Sequence, residues 1–309
     1  MALHYFLVAI DGTGSTEWRR SDGYNSHVYR FYNDFQAVGG EKLYLHGPDT
    51  AGLSMSSLIE QGFGWLKNHL LHLVIERRVP QQNIKICLVG HSRGGAAVIQ
   101  IAHQFSNVSF LREATLPSVP LQLPVAIHFM GLYDAVDRSL VSISSDGLTH
   151  VENLYHAYRS NISYLASRGS RGSFGVMELS RGLKKGFDTS HGGIGGDPGL
   201  FTRLDTPFAD FYCNALRLVL TQAELDSQYG QTYNQQEGIE ISRYYALTNE
   251  AARNRKRQVM RNISESVEAD RWIRDYAVRA GMHFGTATPH VPYQVQESQL
   301  WRRFMEIPV

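Results

Sequence analysis

The sequence predicts an α/β fold, a mostly parallel sheet flanked by helices and completed by a helical C-terminal cap. Three observations carry that expectation. Short apolar runs of strand length alternate with helical patterns through the first half of the chain. Two of those runs end in glycine-rich turns, Asp11-Gly12-Thr13-Gly14-Ser15 and Gly90-His91-Ser92-Arg93-Gly94-Gly95. Beyond about Gln222 the pattern turns polar and helical.

Tyr5 to Ile10 is a β-branched and aromatic run that reads as the first strand, and Lys42 to His46, stopped by Gly47-Pro48, reads as the second. From Ser56 to Arg78, Ile59, Phe63, Leu66, Leu70 and Val74 recur at helical spacing, and Pro80 ends the stripe. Asn83 to Gly90 is a nearly continuous apolar strand followed by a helix from about Gly94 to Phe105. Pro124 to Tyr133 is a further buried strand with Asp134 at its C-terminal end, where open α/β sheets place their chemistry. Leu148 to Arg159 and Ser173 to Leu179 are weaker strand candidates. A glycine-rich loop spans Gly192 to Gly199, and Thr206-Pro207 offers a cap for a helix to about Leu220. Two polar helices, Ile239 to Ile263 and Ser264 to Ala280, follow, with Gly281 as the stop. The whole chain, 1–309, reads as one domain, with a catalytic core over about 1–221 and a helical extension over about 222–309.

Composition narrows the function classes. The 309 residues are 43% hydrophobic and 19% charged, the pattern of an ordinary globular protein. Thirty basic against 29 acidic side chains leave a net charge of +1, no global field for a polyanion, so nucleic acid is not an expected partner. Cys87 and Cys213 show no metal-ligand spacing, and His69 and His72, three apart on a predicted helix, lack a third ligand nearby, so no metal is expected. No apolar run reaches the roughly 18 residues of a membrane span. Met1 to Ile10 lacks the basic region and cleavage site of a secretory signal. The expected location is cytoplasmic, or exported without a cleaved signal peptide.

The strongest local signal is Gly90-x-Ser92-x-Gly94, directly after a buried strand and directly before a helix, the context of a nucleophile elbow. The turn is tight, so the residues two before and two after the serine must be small. A serine hydroxyl needs a general base, and the base an orienting acid, in the α/β-hydrolase chain order Ser, Asp, His. Ser92 is the candidate nucleophile. Asp134 is the candidate acid, with Asp137 as rival, and His191, in a loop of glycines, is the candidate base ahead of His156. The backbone N–H of Arg93 and those of Gly12 and Thr13 are the expected oxyanion donors. The early glycine loop lacks the lysine and spacing of a phosphate loop.

Asp11-Gly12-Thr13-Gly14, Tyr44-Leu45-His46-Gly47-Pro48-Asp49-Thr50, Gly90-His91-Ser92-Arg93-Gly94-Gly95, Gly131-Leu132-Tyr133-Asp134-Ala135-Val136 and His191-Gly192-Gly193-Ile194-Gly195-Gly196 follow one another in that order. Together they resemble a group of bacterial α/β-hydrolases, a domain-of-unknown-function family that includes type VI secretion phospholipase effectors. The resemblance implies a Ser/Asp/His triad, hydrolysis of lipid or other esters, and no obligatory cofactor. The chain departs from that pattern with His91 in place of Phe, Gly95 in place of Ala, Ala135 in place of Thr, and Asp197-Pro198 where an aromatic residue commonly follows the glycines.

The expected function is therefore a serine esterase, which the resemblance implies to be lipolytic (a phospholipase or a lipase/esterase), with two alternatives: a non-catalytic binding or effector module on the same fold, or an acyltransferase using the same three residues. Arg253, Arg255, Lys256, Arg257 and Arg261 form a basic cluster on a predicted helix that could meet an anionic membrane surface, or simply be a solvated face. Trp272 and Tyr276 share a helical face and are expected in the core. Oligomeric state has no signature in the sequence.

Overall fold

The computed structural model describes residues 2–13, 26–49, 52–106, 125–136, 143–160, 177–189, 191–196 and 249–286. Among these residues, strands β1 (His4–Ile10), β2 (Lys42–Leu45), β3 (Ile84–His91), β4 (Ile127–Tyr133), β5 (Val151–Arg159) and β6 (Leu183–Phe187) form one sheet. Its order is β2-β1-β3-β4-β5-β6 and every pair is parallel. The helices are α1 (His27–Asp34), α2 (Met55–Leu71), α3 (Arg93–Ser106), the single turn α4 (His191–Ile194) and α5 (Asn249–Arg279). A six-stranded parallel sheet with helices on both faces is an α/β-hydrolase-like fold. No described helix is long and apolar enough to cross a membrane.

The period of two along β1 builds two cores. Phe6, Val8 and Ile10 join Ile59, Phe63, Leu66 and Leu70 of α2 and Ala97, Ile101 and Phe105 of α3. Tyr5, Leu7 and Ala9 join Val28 and Phe31 of α1 and Ala269, Ile273 and Ala277 of α5 on the other face. Both faces of the strand are covered, which is why it reads as a continuous apolar run. The order reverses around β1, with β2 on one side and β3 on the other. Connections leaving β1 and β3 therefore diverge, and the crevice at their C-terminal ends is where such sheets bind ligands.

The structure departs from the sequence pattern in three places. α5 runs unbroken across residues 263 and 264 instead of forming two helices, since no glycine or proline interrupts it, and it stops where Gly281 takes φ +86°. α1 was not expected, because apart from Val28 and Phe31 it offers little apolar pattern, although Ser26 caps it by accepting from the Tyr29 N–H at 2.9 Å. The last strand is not Ser173 to Leu179, whose described part, 177–179, is in no strand; it is Leu183–Phe187. Its Lys184 and Lys185 hide it from an apolar pattern, and charged side chains suit a sheet edge. The expected helix from Thr206 to Leu220, the stretch from Gln222 to residue 248, Asp137, Asp197-Pro198 and Cys213 lie outside the described residues.

Because Ile273 is fully buried against the sheet, Ile273→Ala should lower the unfolding free energy by about 2–5 kcal/mol in urea titrations. A loss below about 1 kcal/mol would mean that α5 contributes little to the core.

Candidate active site

β3 runs into α3 with one residue between them, Ser92. That serine takes φ +56°, a left-handed conformation that a side chain makes unfavourable. Its N–H donates to the Tyr133 carbonyl at 3.0 Å, and its own carbonyl accepts from the Val136 N–H at 3.1 Å, so the end of β4 and the residues just after it hold both of its backbone groups. A Cβ on Gly90 would lie 2.5 Å from the Gly94 carbonyl oxygen, and one on Gly94 would lie 2.3 Å from the carbonyl oxygens of Ile10 and Asp11, which is why both flanking positions are glycine. Asp134, at the end of β4, has φ +45°. Among the described residues only Arg78, Ser92 and Asp134 combine a side chain with a positive φ. Such strain is maintained by surrounding structure at about 1–3 kcal/mol per residue, and it gathers at functional sites.

His191 bridges those two strained positions. Its Nε2 lies 2.8 Å from Ser92 Oγ and its Nδ1 2.7 Å from Asp134 Oδ2. A carboxylate only accepts, so Nδ1 carries the proton and Nε2 is left to accept from the serine hydroxyl. Asp134 is fully buried and Ser92 nearly so. Burial would raise the Asp134 pKa, but the hydrogen bond from His191 and the electrostatic influence of its neighbours, the Arg159 guanidinium among them, hold it below the usual carboxylate range.

His191 begins the α4 turn rather than an open loop, and three elements hold that turn by alternate carbonyls. His91 Nε2–H donates to the carbonyl of His191 at 3.1 Å. Ser266 Oγ, on α5, donates to Gly193 at 2.6 Å, and the His27 N–H, at the start of α1, donates to Gly195 at 3.0 Å. The glycines of this segment have a steric role too. The His91 ring packs between Gly12 and Gly195, and a Cβ on either would fall inside it.

The expected oxyanion donors fare differently. The Gly12 N–H donates to Asp11 Oδ1 at 2.7 Å, so it is engaged, and what Gly12 contributes is room for the His91 ring. The cause is Asp11, a fully buried carboxylate that also accepts from Ser26 and from Tyr44, the latter at 2.7 Å. Thr13 and Arg93 are brought together, the Arg93 Nε donating to Thr13 Oγ1 at 2.7 Å. Their backbone N–H groups are the remaining candidates.

Arg159, the last residue of β5, is the site residue that sequence reasoning missed. It is 1% exposed, its guanidinium is paired with Asp134 Oδ2, and its Nη1 is 2.9 Å from His191 Nδ1. Its signal was a charged residue closing a strand whose end shares the sheet edge with Asp134. His156, the rival base, is buried elsewhere on β5, where its Nε2 accepts from the Ala135 N–H at 3.1 Å. Of the basic cluster, Arg257 and Arg261 are exposed on α5, and Arg261 pairs with Asp188 at 2.9 Å; the side chains of Arg253, Arg255 and Lys256 lie outside the described ones. His69 packs against Trp65 with the two rings tilted, and His72 pairs with Glu76. Among the described residues no group of His, Cys, Asp and Glu is arranged to hold a metal.

No protein-family model and no curated protein matches this chain. Among solved structures, it aligns with the Tle1 effector bound to the VgrG spike from the Type 6 secretion system, at 12% identity and a TM-score of 0.49, over 98% of this chain and 79% of that one. It also aligns with an uncharacterized protein from Pseudomonas aeruginosa, at 12% identity and a TM-score of 0.41, over 98% of this chain and 62% of that one.

Two buried histidines make stability depend on pH. Burial, then the neighbouring His191, pushes the His91 pKa down to about 3. Burial pushes His156 down to about 4. Both ordinarily titrate near 6.5 when unfolded, so below that pH the unfolded chain binds more protons than the folded one. The unfolding free energy should therefore fall from about pH 6.5 towards 5 by up to about 1.4 kcal/mol per pH unit for each histidine. Urea unfolding at pH 7.5, 6 and 5 measures the slope, and His156→Gln, which keeps an acceptor for Ala135, should remove its share.

Proposed function

We propose that this chain is a serine hydrolase that cleaves carboxylic esters, with lipid esters as its substrate class. The observation that carries the reading is the unbroken hydrogen-bonded path from Ser92 Oγ through the His191 ring to Asp134, at the crevice where the sheet order reverses. The order of five motifs in the sequence supports the lipid class.

In the mechanism this implies, Ser92 Oγ attacks the ester carbonyl carbon as its proton passes to His191 Nε2. Asp134 holds the ring by Nδ1 and balances the charge of the imidazolium. The tetrahedral oxyanion is met by the backbone N–H groups of Arg93 and Thr13, the first of these at the N-terminal end of α3, where the helix dipole also favours negative charge. The leaving alcohol takes the proton from Nε2 as the carbon–oxygen bond breaks, leaving an acyl-Ser92. A water then gives its proton to His191, attacks the acyl carbon and releases the acid, and Ser92 recovers its proton. Apart from that water, the chain's own residues supply every acid, base and nucleophile in this sequence.

A fluorophosphonate probe should label the wild type at Ser92, and Ser92→Ala should not label. Turnover of a short-chain ester should fall by about 10⁴ to 10⁶ in Ser92→Ala and His191→Ala, and by a comparable or smaller factor in Asp134→Asn. Folded wild type that neither labels nor turns over esters would point to a binding module instead.

A further inference from the structure

We propose that Arg159 is a positioning residue which neutralises the buried Asp134 and so lets His191 rest as a free base. The proposal rests on the hydrolase reading above and assigns a residue that this reading does not use. Arg159 reaches Asp134 twice, its backbone N–H meeting Oδ1 at 3.4 Å and its guanidinium meeting Oδ2. The same Oδ2 accepts His191 Nδ1–H at 2.7 Å, so the imidazole from the α4 turn and the guanidinium from the end of β5 converge on one oxygen. Both members of the ion pair are buried, with side chains 1% and 0% exposed.

Charge counting gives the consequence. A buried carboxylate beside a neutral imidazole carries an uncompensated negative charge, and the pair is stabilised by taking up a proton. That proton would occupy the imidazole lone pair that must accept from Ser92. A guanidinium keeps its charge across the whole working range, so it compensates Asp134 without consuming the base. The other groups around the pair do not supply this. His91 and His156, pushed down by burial, are neutral at any working pH. Asp11 faces Gly12, Ser26 and Tyr44. Arg93 is bound to Thr13. Lys184, beside His156, faces Glu178 at 3.6 Å.

The test is the pH dependence of kcat/KM on a soluble nitrophenyl ester for wild type, Arg159→Met and Arg159→Lys, each checked for folding by thermal unfolding. In Arg159→Met the acid limb should move up by about one pH unit or more, the scale of one neighbouring charge, while activity above the limb stays within about tenfold of wild type. Arg159→Lys should leave the limb close to its wild-type position. A uniform loss at every pH with the limb unmoved would overturn the proposal and leave Arg159 a packing residue. If Arg159→Met does not fold, Arg159→Gln takes its place. A Ser92→Ala background labelled at histidine Cε1 gives the same comparison by NMR without turnover. The two ideas fail separately: wild type that does not react with the probe removes the hydrolase reading, and an unmoved limb in an active enzyme removes only the role of Arg159.

Discussion

One imidazole has to touch a hydroxyl at the end of β3 and a carboxylate at the end of β4, and it comes from a turn about a hundred residues from the serine. The rest of the site follows from that constraint. A turn rich in glycine is the wrong object to position anything by itself, since glycine loses the most conformational entropy on ordering. The turn is therefore fixed from outside. Its carbonyls at 191, 193 and 195 are each taken by a donor from a different part of the chain: the elbow, α5 and the start of α1. Alternate carbonyls leave little freedom of rotation about the axis of the turn, and the ring orientation is set with it.

The residue before the serine ties this arrangement together. The His91 ring donates to the turn, lies 4.9 Å from the His191 ring, and fills the gap between Gly12 and Gly195. Gly12 and Gly195 are thus packing positions. The Gly12 N–H is engaged for a separate reason. Its loop is drawn down by Asp11, whose carboxylate takes the Gly12 N–H and two hydroxyls, and this leaves Thr13 as the residue beside the elbow. Strain at Ser92 and Asp134 is tolerated because both backbones are pinned by neighbouring strands, Ser92 by Tyr133 and Asp134 by Ala157 at 2.7 Å.

What the sequence made legible is what depends on local period and local sterics. The strands of the sheet centre, the α2 stripe and the elbow are all of that kind, since burial on both faces or tight turns leave a mark within ten residues. The trio Ser92, Asp134 and His191 was readable because chain order and strand ends restrict the choice. Arg159 was not, since its meaning depends on β4 and β5 being neighbours in parallel register, with Tyr133 opposite Ala157. Ser266 and His27 were invisible for the same reason, being separated from the turn they hold by stretches of chain that no local pattern connects. The edge strand β6 escaped because its solvent-facing lysines break the apolar pattern.

α5 shows how a distant helix becomes part of such a site. Its buried apolar residues Ala269, Ile273 and Ala277 are joined by Trp272 and Tyr276, whose rings meet Tyr155 and Phe187 on the sheet. A buried polar network adds directional contacts to that packing. Asp270 accepts from the Tyr133 hydroxyl and from Arg274, each at 2.9 Å, and Arg274 reaches Asp34 on α1 at 2.9 Å. Burial would raise the Asp270 pKa, but the charges of His27, Arg274 and Arg30 together with the Tyr133 bond keep it below the usual range. Buried ion pairs of this type contribute little net stability against a hydrophobic replacement, and their attested use is to select one register. Here register has a chemical consequence. A shift of one residue along a helix is about 1.5 Å of travel and about 100° of rotation, enough to carry Ser266 away from the Gly193 carbonyl and loosen the turn that carries His191. Tyr133 precedes Asp134 directly, so one network both seats the helix and abuts the strand end that bears the acid.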